Sequence, residues 1–296
     1  MEFSHRILAF LQRYLSPVCR PIQSMVAMVE YWVLEAWWVL RGYRKPTAEE
    51  ASFVAEKVTI MFKSFERQIQ ARALVRSIWR YYPGVRIVIA DDSLSPLTIP
   101  DSPDGGQIKI IQMPFNSGLS RGLNLALNEI ETPFMVRLDD DVLFTRRTDV
   151  ARELRFLMEH QEVDLVGMPW IDACKAWSTK RSIRTYLRID MREAPMPLKI
   201  PHGTKLDEDH VVLGKTSNAF LSRTEAIKKV GWDEHIRMID HHDFFFRAAG
   251  VLVSVLSLHS VLYHNHNFFS PKYNRYRADW KGDAAYIRKT RYGAKR

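Results

Sequence analysis

The central part of the chain alternates short apolar runs with amphipathic stretches. Four apolar, β-rich runs predict strands at residues 58–62, 86–90, 108–111 and 134–138. The amphipathic stretches between them predict helices from Arg67 to Tyr82 and from Ser120 to Ile130. Residues 101–106 carry the Asp, Pro and Gly residues of a turn. This alternation predicts an α/β fold with a mostly parallel central sheet.

Residues 1–45 have a different pattern, which predicts a helical appendage. Ser4 can cap a first short helix that Pro17 ends, and a second helix runs from Ile22 to Leu40. On a helical wheel, the polar residues of the second helix occupy an arc of roughly 140°. They are Gln23, Ser24, Glu30 and Glu35, and the remaining face carries Met25, Val29, Trp32, Val33, Trp37 and Trp38.

An amphipathic helix with tryptophans and basic flanks suits the plane of an anionic membrane. The alternative is that this helix docks on the central domain. Its four polar residues argue against a membrane-spanning segment. Residues 1–45 are therefore treated as an amphipathic appendage with two possible contact surfaces.

The net charge of the chain favours certain classes of partner, but it does not select one of them. The 296-residue chain carries a formal net charge of +9, concentrated toward both ends. Such an excess favours nucleic acid, a negative membrane surface or a phosphate-bearing substrate. The only cysteines, Cys19 and Cys174, provide neither a disulfide framework nor a thiolate zinc site.

Carboxylates stand directly after two of the predicted strands. Asp91-Asp92 follows one, and Asp139-Asp140-Asp141 follows another. Ligands of parallel sheets bind at the carboxyl ends of the strands, and oxygen-rich sites suit Mg²⁺ or Mn²⁺ bridged to phosphates. The alternative for the triplet is a solvated turn with helix-capping aspartates.

Two later segments carry further candidate residues. Asp243 leads directly into the apolar run 244–246, where burial can raise its pKa toward that of a general base. It can equally be a helix N-terminal acid. One of His259, His264 and His266 can be a metal ligand, although core and surface roles are more frequent for a single histidine.

These blocks, in this order, resemble the inverting GT-A glycosyltransferases of family 2. The similarity is greatest to the β-1,4-N-acetylgalactosaminyltransferases. It covers residues 57–268 and includes the segments 58–60, 88–93, 118–126, 137–144, 164–167, 218–224, 230–233, 241–245 and 263–264. It implies a GT-A fold for residues 57–268, between the N-terminal appendage and a basic, aromatic tail at residues 269–296.

The resemblance also implies residue roles. Asp91 and Asp92 would hold uracil and ribose, and Arg121 and Asn124 would line the nucleotide-sugar pocket. Asp139 or Asp140 would hold the ribose or the donor sugar, and Asp141 would hold the divalent cation, Mn²⁺ or Mg²⁺, on the diphosphate. His264 would complete the metal site, and Asp243 would be the catalytic base.

The implied reaction moves an N-acetylhexosamine or hexose from a UDP-sugar to a glycan or lipid-linked glycan acceptor. Two departures from the similar enzymes matter. Those enzymes carry Glu where this chain has Asp243, and the eukaryotic ones have an N-terminal anchor and lumenal cysteines. We therefore expect a bacterial, cytoplasmic enzyme, peripheral at the inner face of the plasma membrane, with no nucleic-acid partner.

Two other function classes stay open on sequence grounds. A metal-dependent nucleotidyltransferase also uses clustered aspartates, although this chain shows no glycine-rich phosphate loop. A basic membrane- or nucleic-acid-associated binding protein without transferase activity would also fit the charged tail.

Overall fold

The apolar runs form strands of one large sheet, as predicted. The computed structural model describes residues 2–100, 105–174, 179–188, 194–266, 270, 273, 275–276 and 280–293. The predicted turn at residues 101–106 lies mostly outside these residues, as does much of the predicted tail. The four predicted strands and the two predicted helices of the central domain are all present, with ends shifted by one or two residues.

The helices are α1 (Glu2–Leu40), α2 (Ala48–Lys57), α3 (Gln68–Tyr81), α4 (Leu119–Asn128), α5 (Val150–Glu159), α6 (Thr179–Leu187), α7 (Thr224–Val230), α8 (Asp240–Ala248) and α9 (Lys281–Arg291). The strands are β1 (Val58–Ser64), β2 (Arg86–Asp91), β3 (Ile108–Gln112), β4 (Phe134–Asp139), β5 (Val142–Leu143), β6 (Leu165–Gly167), β7 (Trp170–Asp172), β8 (His210–Val212), β9 (Phe220–Arg223), β10 (Ser254–Ser257) and β11 (Leu262–His264).

The large sheet has eight strands in the order β3-β2-β1-β4-β9-β6-β10-β8. Strand β1 pairs in parallel with β2 and β4, and β2 pairs in parallel with β3. Strand β9 lies antiparallel between β4 and β6. Strand β10 is parallel to β6 and antiparallel to β8. The α/β class with a mostly parallel sheet is therefore confirmed.

Both faces of the sheet are covered, which explains the continuous apolar runs. Ile60 and Phe62 of β1 belong to a buried cluster that includes Leu74 of α3. Met61, which points to the opposite face, belongs to a cluster with Leu123 of α4. A strand buried on both sides needs apolar residues at successive positions rather than at alternate ones.

Parallel pairing brings the acidic strand ends to one edge of the sheet. Ser64, the last residue of β1, is paired with Asp91 of β2. Lys63 of β1 is paired with Asp139, the last residue of β4. The two acidic segments predicted from the sequence therefore flank β1 at the same carboxyl edge, where ligands of such sheets bind.

Helix α1 is continuous, so the prediction of two helices divided at Pro17 is wrong. The helix includes both Pro17 and Pro21. A proline removes one backbone donor and crowds the preceding turn. Because these prolines are four residues apart, both missing hydrogen bonds lie on the same side of the helix, and the other sides continue uninterrupted.

The C-terminal half of α1 packs on a small second sheet. This sheet has the order β5-β11-β7, with β11 antiparallel to β5 and parallel to β7. Tyr31 and Trp38 of α1 are buried in one cluster with Ile171 of β7 and Tyr263 of β11. Helix α1 therefore supports the strand that carries His264.

The polar face of α1 is the buried face. Glu35 is 3% exposed and accepts hydrogen bonds from the hydroxyl of Tyr81 and, at 2.9 Å, from the backbone N–H of Arg146. Glu30 accepts a hydrogen bond of 2.7 Å from the hydroxyl of Tyr263. The face of α1 that carries Glu30 and Glu35 therefore docks on the central domain, which is one of the two predicted alternatives.

The apolar face of α1 points outward. Trp38 is buried, whereas the other large apolar residues predicted for this face are exposed: Met25, Val29, Trp32, Val33 and Trp37. Within the described residues, no helix combines the length and the apolar character that a membrane crossing requires.

A second polar cluster is buried between α5, β8 and β10. His210 Nε2 lies 2.7 Å from Glu153 Oε2, and His210 Nδ1 lies 2.8 Å from Asp207 Oδ2. Ser257 and Ser260 donate hydrogen bonds to Glu153 Oε1. Burial opposes the charge of His210, but Glu153 and Asp207 outweigh it and raise the histidine pKa above its usual value.

This cluster predicts a pH-dependent contribution to stability. The raised pKa of His210 stabilises the fold fully below about pH 6.5, and this contribution disappears as the pH rises through the folded-state pKa. Burial also opposes the charge of Glu153, but His210 and the serines lower its pKa. The Glu153 contribution is therefore present above about pH 4.5 and is lost in more acidic solution.

We expect His210→Gln to lower the free energy of unfolding by about 3 kcal/mol near pH 5.5 and by less near pH 9. Urea denaturation at both pH values measures the difference. The matched control is His160→Gln, because His160 is a partly exposed histidine paired with Glu162. A loss of equal size at both pH values would contradict the charged pair.

Candidate active site

A cavity of about 640 Å³ opens at the carboxyl edge of the large sheet. Four of the nine predicted site residues line it: Asp139, Asp140, Asp141 and His264. Residues from other elements complete its walls, among them Lys63, Arg67, Lys215, Asp240 and His266. The cavity therefore combines a carboxylate cluster with several cations and imidazoles.

Asp139 is joined to Asp240 through a buried arginine. Arg137, which lies on β4 and is 1% exposed, places Nη1 2.8 Å from Asp139 Oδ1. The same nitrogen donates to the carbonyl of Asn218, and Nη2 lies 3.5 Å from Asp240 Oδ2. Arg137 therefore fixes the relative positions of two carboxylates on two elements.

Asp140 and Asp141 share one guanidinium nitrogen. Arg67 Nη1 donates to Asp140 Oδ1 at 2.9 Å and to Asp141 Oδ2 at 2.7 Å. Burial raises the pKa of Asp140 to about 6, with Arg67 opposing this effect. Burial also opposes ionisation of Asp141, but His264 and Arg67 outweigh it and hold the pKa of Asp141 well below its usual range.

Asp141, His264 and His266 form a candidate metal site. One ligand atom from each residue lies within 4.8 Å of the others. His264 Nε2 lies 3.4 Å from Asp141 Oδ2, and His266 Nδ1 lies 3.5 Å from the same oxygen. One carboxylate and two imidazoles are a donor set that can hold a divalent metal ion. The arrangement fits a divalent cation and adds His266 to the predicted pair.

The ring of His264 is held in place by a further carboxylate. Its Nδ1 lies 2.8 Å from Asp172 Oδ1, at the end of β7. A histidine whose second nitrogen bonds a carboxylate keeps its ring orientation and its tautomer. Nε2 of His264 therefore stays directed at Asp141.

Asp240 also lines the cavity. It is the first residue of α8 and is 4% exposed. Burial raises its pKa to about 6, with Arg137 opposing this effect and Asp139 adding to it. A carboxyl group with a pKa near the pH of the solution is suited to act as a general base.

Asp243, the predicted base, lies three residues further along α8 and does not line the cavity. Its Oδ2 accepts a hydrogen bond from Arg247 at 2.8 Å, and its Oδ1 accepts one from Arg291 at 2.6 Å. Arg291 belongs to α9, so Asp243 joins α8 to the C-terminal helix. Both carboxylate oxygens are engaged with the protein itself.

Asp91 and Asp92 lie behind the cavity wall. Asp91 accepts hydrogen bonds from the hydroxyl of Ser93 at 2.6 Å and the backbone N–H of Leu97 at 2.7 Å. Asp92 is fully buried and pairs with Lys63 at 2.5 Å. Lys63 lines the cavity, so Asp92 contributes to it through this lysine.

Arg121 and Asn124 are not brought to the cavity either. Arg121 is exposed on α4. Asn124 donates to the carbonyl of Trp232 at 2.8 Å and accepts from the N–H of Trp232 at 2.9 Å. Asn124 therefore holds the loop after α7, and the nucleotide-binding roles implied for both residues stay predictions.

Sequence reasoning missed Arg67, Arg137 and Asp240. Arg67 and Arg137 stand in predicted elements, and nothing in their local pattern shows which carboxylates they meet. Asp240 had a weak signal, because it precedes Asp243 by one helical turn and occupies the helix start. Only the tertiary arrangement shows that this earlier residue reaches the cavity.

The sequence model of glycosyl transferase family 2 matches residues 60–231, which is more than half of the chain. The chain belongs to glycosyl transferase family 2. The matched segment contains all the strands of the large sheet except β10. It also contains Arg67 and the Asp139–Asp141 triplet, whereas Asp240 and the two metal-site histidines follow it.

The chain is similar to characterised β-1,4 N-acetylgalactosaminyltransferases, the group that its sequence segments resemble most. The chain is 33% identical over 208 residues to β-1,4 N-acetylgalactosaminyltransferase 1 of Rattus norvegicus. It is 29% identical over 198 residues to β-1,4 N-acetylgalactosaminyltransferase 2 of Mus musculus. The alignments cover 67% and 66% of this chain, and the chain spans 37% of the length of each relative.

Solved structures share the fold of this chain. S. aureus TarS (residues 1–349) aligns with a TM-score of 0.50 at 14% identity, over 71% of this chain and 60% of TarS. The mannosyltransferase PcManGT from Pyrobaculum calidifontis, in complex with GDP-Man and Mn²⁺, aligns with a TM-score of 0.53 at 15% identity. That alignment covers 95% of this chain and 75% of PcManGT. The predicted GT-A fold is confirmed.

Proposed function

We propose that this chain is a metal-dependent, inverting glycosyltransferase that moves an N-acetylhexosamine or hexose from a UDP-sugar to a glycan or lipid-linked glycan. The observation that carries the proposal is the cavity itself. Its lining includes Asp141, His264 and His266, which can hold a metal ion, and also Asp240. Such a site can hold a diphosphate through the metal ion and activate a hydroxyl through Asp240.

The proposed step uses Asp240 as the base. Its carboxylate accepts the proton of the acceptor hydroxyl, and that oxygen bonds to the anomeric carbon. The bond from this carbon to the diphosphate oxygen breaks, and UDP leaves with the electron pair. Attack from the side opposite the leaving group inverts the anomeric configuration. We propose Asp240 rather than Asp243 because Asp240 lines the cavity, whereas Arg247 and Arg291 occupy both oxygens of Asp243.

Charge on the leaving diphosphate would be balanced at the triplet. A divalent cation there, Mn²⁺ or Mg²⁺, supplies electrostatic stabilisation of the departing diphosphate. Asp141, His264 and His266 would hold it, and PcManGT provides a structural relative that binds Mn²⁺. Lys63 and Lys215 add positive charge to the same cavity.

An aromatic group beside Lys63 can receive the nucleobase. Phe65, Phe115 and Tyr276 are mutual neighbours, with ring centroids 5.2–5.9 Å apart. Phe65 and Tyr276 line the cavity. Aromatic faces stack on a planar base, which would place the uracil near Lys63 and its partner Asp92.

A nucleotide-sugar screen tests the function. Release of UDP is measured for several UDP-hexoses and UDP-N-acetylhexosamines with Mn²⁺, in the presence and absence of chelator. We expect UDP-N-acetylgalactosamine among the substrates, because two relatives are N-acetylgalactosaminyltransferases. No release of UDP from any donor would contradict the proposal.

Family membership favours glycosyl transfer over the two alternative classes. A nucleotidyltransferase would share the aspartates and the metal, but residues 60–231 match the glycosyl transferase family. A basic binding protein without activity would not require the convergence of Asp240 and the metal residues on one cavity. Neither alternative accounts for both findings.

We further propose that the enzyme is peripheral at the cytoplasmic face of the plasma membrane, where its acceptor is lipid-linked. The support is the outward face of α1, which exposes Trp32 and Trp37 beside basic groups. Arg80 lies 4.4 Å from the ring of Trp32, and Arg41 lies 5.2 Å from that of Trp37. Aromatic and basic residues together are typical of helices that lie in anionic interfaces.

Replacing Trp32 and Trp37 with serine is expected to reduce sedimentation with anionic vesicles by about tenfold, because each tryptophan removes apolar area from water on insertion. The double variant keeps the hydrogen bonds of Glu35 and of the Tyr31 hydroxyl. The control is Trp280→Ser, which removes an exposed tryptophan on another surface. Equal sedimentation of the double variant and the unchanged protein would contradict the membrane proposal.

A further inference from the structure

We propose that Arg67 makes the binding of the divalent cation depend on the binding of the donor diphosphate. The inference rests on the proposed function and concerns the same site. It assigns to Arg67 the coupling of the two ligands, since Arg67 shares a carboxylate oxygen with the candidate metal site.

Asp141 Oδ2 is the point where three nitrogen-bearing side chains meet. Arg67 Nη1 lies 2.7 Å from this oxygen, His264 Nε2 lies 3.4 Å away and His266 Nδ1 lies 3.5 Å away. A cation bound by Asp141 and the two histidines would sit beside the guanidinium. The same Nη1 is also bonded to Asp140 Oδ1, so the arginine is held between the two aspartates.

The guanidinium is fixed and permanently charged. Arg67 is 7% exposed, and its Cζ lies 3.7 Å from the centre of the Tyr273 ring. An arginine does not lose its proton in a protein, so its charge persists under all conditions in which the enzyme is folded. At this burial, the repulsion between the guanidinium and a divalent cation is screened less than in water.

A diphosphate relieves this repulsion. Its negative oxygens can bond both to the cation and to the guanidinium, because Arg67 and the metal residues line one cavity. The cation should therefore bind weakly alone and more tightly with UDP. Binding free energies are reciprocal, so the cation must tighten UDP by the same factor.

Calorimetric titration of Mn²⁺ into the full chain, with and without saturating UDP, tests the inference. In the unchanged protein we expect UDP to tighten Mn²⁺ by about 20-fold. In Arg67→Gln we expect Mn²⁺ alone to bind about tenfold more tightly than in the unchanged protein, because the repelling charge is gone, and the effect of UDP to fall to a few-fold. Arg67→Lys keeps the charge and should keep most of the UDP dependence.

The matched control is Arg72→Gln, in helix α3, which begins directly after Arg67, since Arg72 bonds Thr98 and Gln68 and does not line the cavity. Weaker binding of Mn²⁺ alone to Arg67→Gln, or an unchanged effect of UDP, would overturn the inference. Loss of the UDP dependence in Arg67→Lys would also overturn it. If the unchanged protein with UDP binds no Mn²⁺, the proposed metal site fails, and this result is distinct from a failure of Arg67 alone.

Discussion

Asp240→Asn is expected to lower the turnover number at least about 100-fold, which is the contribution of a positioned general base. The amide has nearly the same shape as the carboxylate but cannot accept the acceptor's proton. Binding of UDP, measured by calorimetry, should change little, because the proposed diphosphate site is formed at Asp141, His264 and His266 and not at Asp240. In the unchanged enzyme, activity should rise with pH through about 6, as the buried carboxyl group ionises.

Asp243→Asn is the control that separates the two candidate bases. Asp243 accepts hydrogen bonds from Arg247 and Arg291, so its replacement leaves two arginines with a weaker partner. We expect a loss of stability of about 3 kcal/mol, with most of the turnover number retained at a temperature where the variant is folded. Near-normal turnover in Asp240→Asn, with loss of turnover in a folded Asp243→Asn, would restore Asp243 as the base.

Asp141→Ala is expected to abolish the binding of Mn²⁺ and to reduce turnover to the level seen with chelator. Asp141 is the only carboxylate in the cluster with His264 and His266, among the described residues. The substitution also removes one of the two partners of Arg67. Binding is measured by calorimetry, and turnover by release of UDP with and without Mn²⁺.

The control for Asp141 is Asp209→Asn, which alters a carboxylate paired with Arg152 outside the cavity. It should bind Mn²⁺ as the unchanged protein does. If Asp141→Ala keeps its activity, and if chelator has no effect on either protein, then the metal-dependent mechanism is wrong.

The large sheet could be predicted from sequence because its signals are local. The runs that became β1, β2 and β4 are apolar at nearly every position, as a strand covered on both faces requires. The turn residues and amphipathic stretches between these runs then favoured an α/β fold over other fold classes. The division of α1 at Pro17 was wrong because the fold of a proline-containing helix depends on contacts made elsewhere along it.

The acidic lining of the cavity was also predictable, because Asp139–Asp141 is a local motif after a buried strand. The position of Asp240 was not. Asp240 and Asp243 lie one turn apart on α8, yet Asp240 lines the cavity, whereas Asp243 bonds to Arg291, from a helix about fifty residues later. Arg67 is likewise brought to Asp141 by the pairing of β1 with β4, which no local pattern shows.

The contacts of helix α1 also could not be predicted from the sequence. The wheel placed Glu30 and Glu35 on one face and Trp32 and Trp37 on the other, but it misplaced Trp38, which is buried, and it did not show which face meets the protein. Ordinary amphipathic helices bury the apolar face, whereas α1 buries Glu30 and Glu35 in hydrogen bonds with the domain. The exposed apolar face supports membrane contact only because the structure shows that the other face already contacts the domain.

The most direct test of the account is proton NMR of the reaction of an α-linked UDP-sugar with the full chain and Mn²⁺. The spectrum is recorded early, before the free sugar equilibrates between its anomers, with water or a glycan as acceptor. An inverting mechanism with Asp240 as the base predicts that the β-anomer or the β-glycoside forms first. It also predicts that Asp240→Asn forms neither product. An α-configured first product, or formation of the β-product by Asp240→Asn at an unchanged rate, would contradict it.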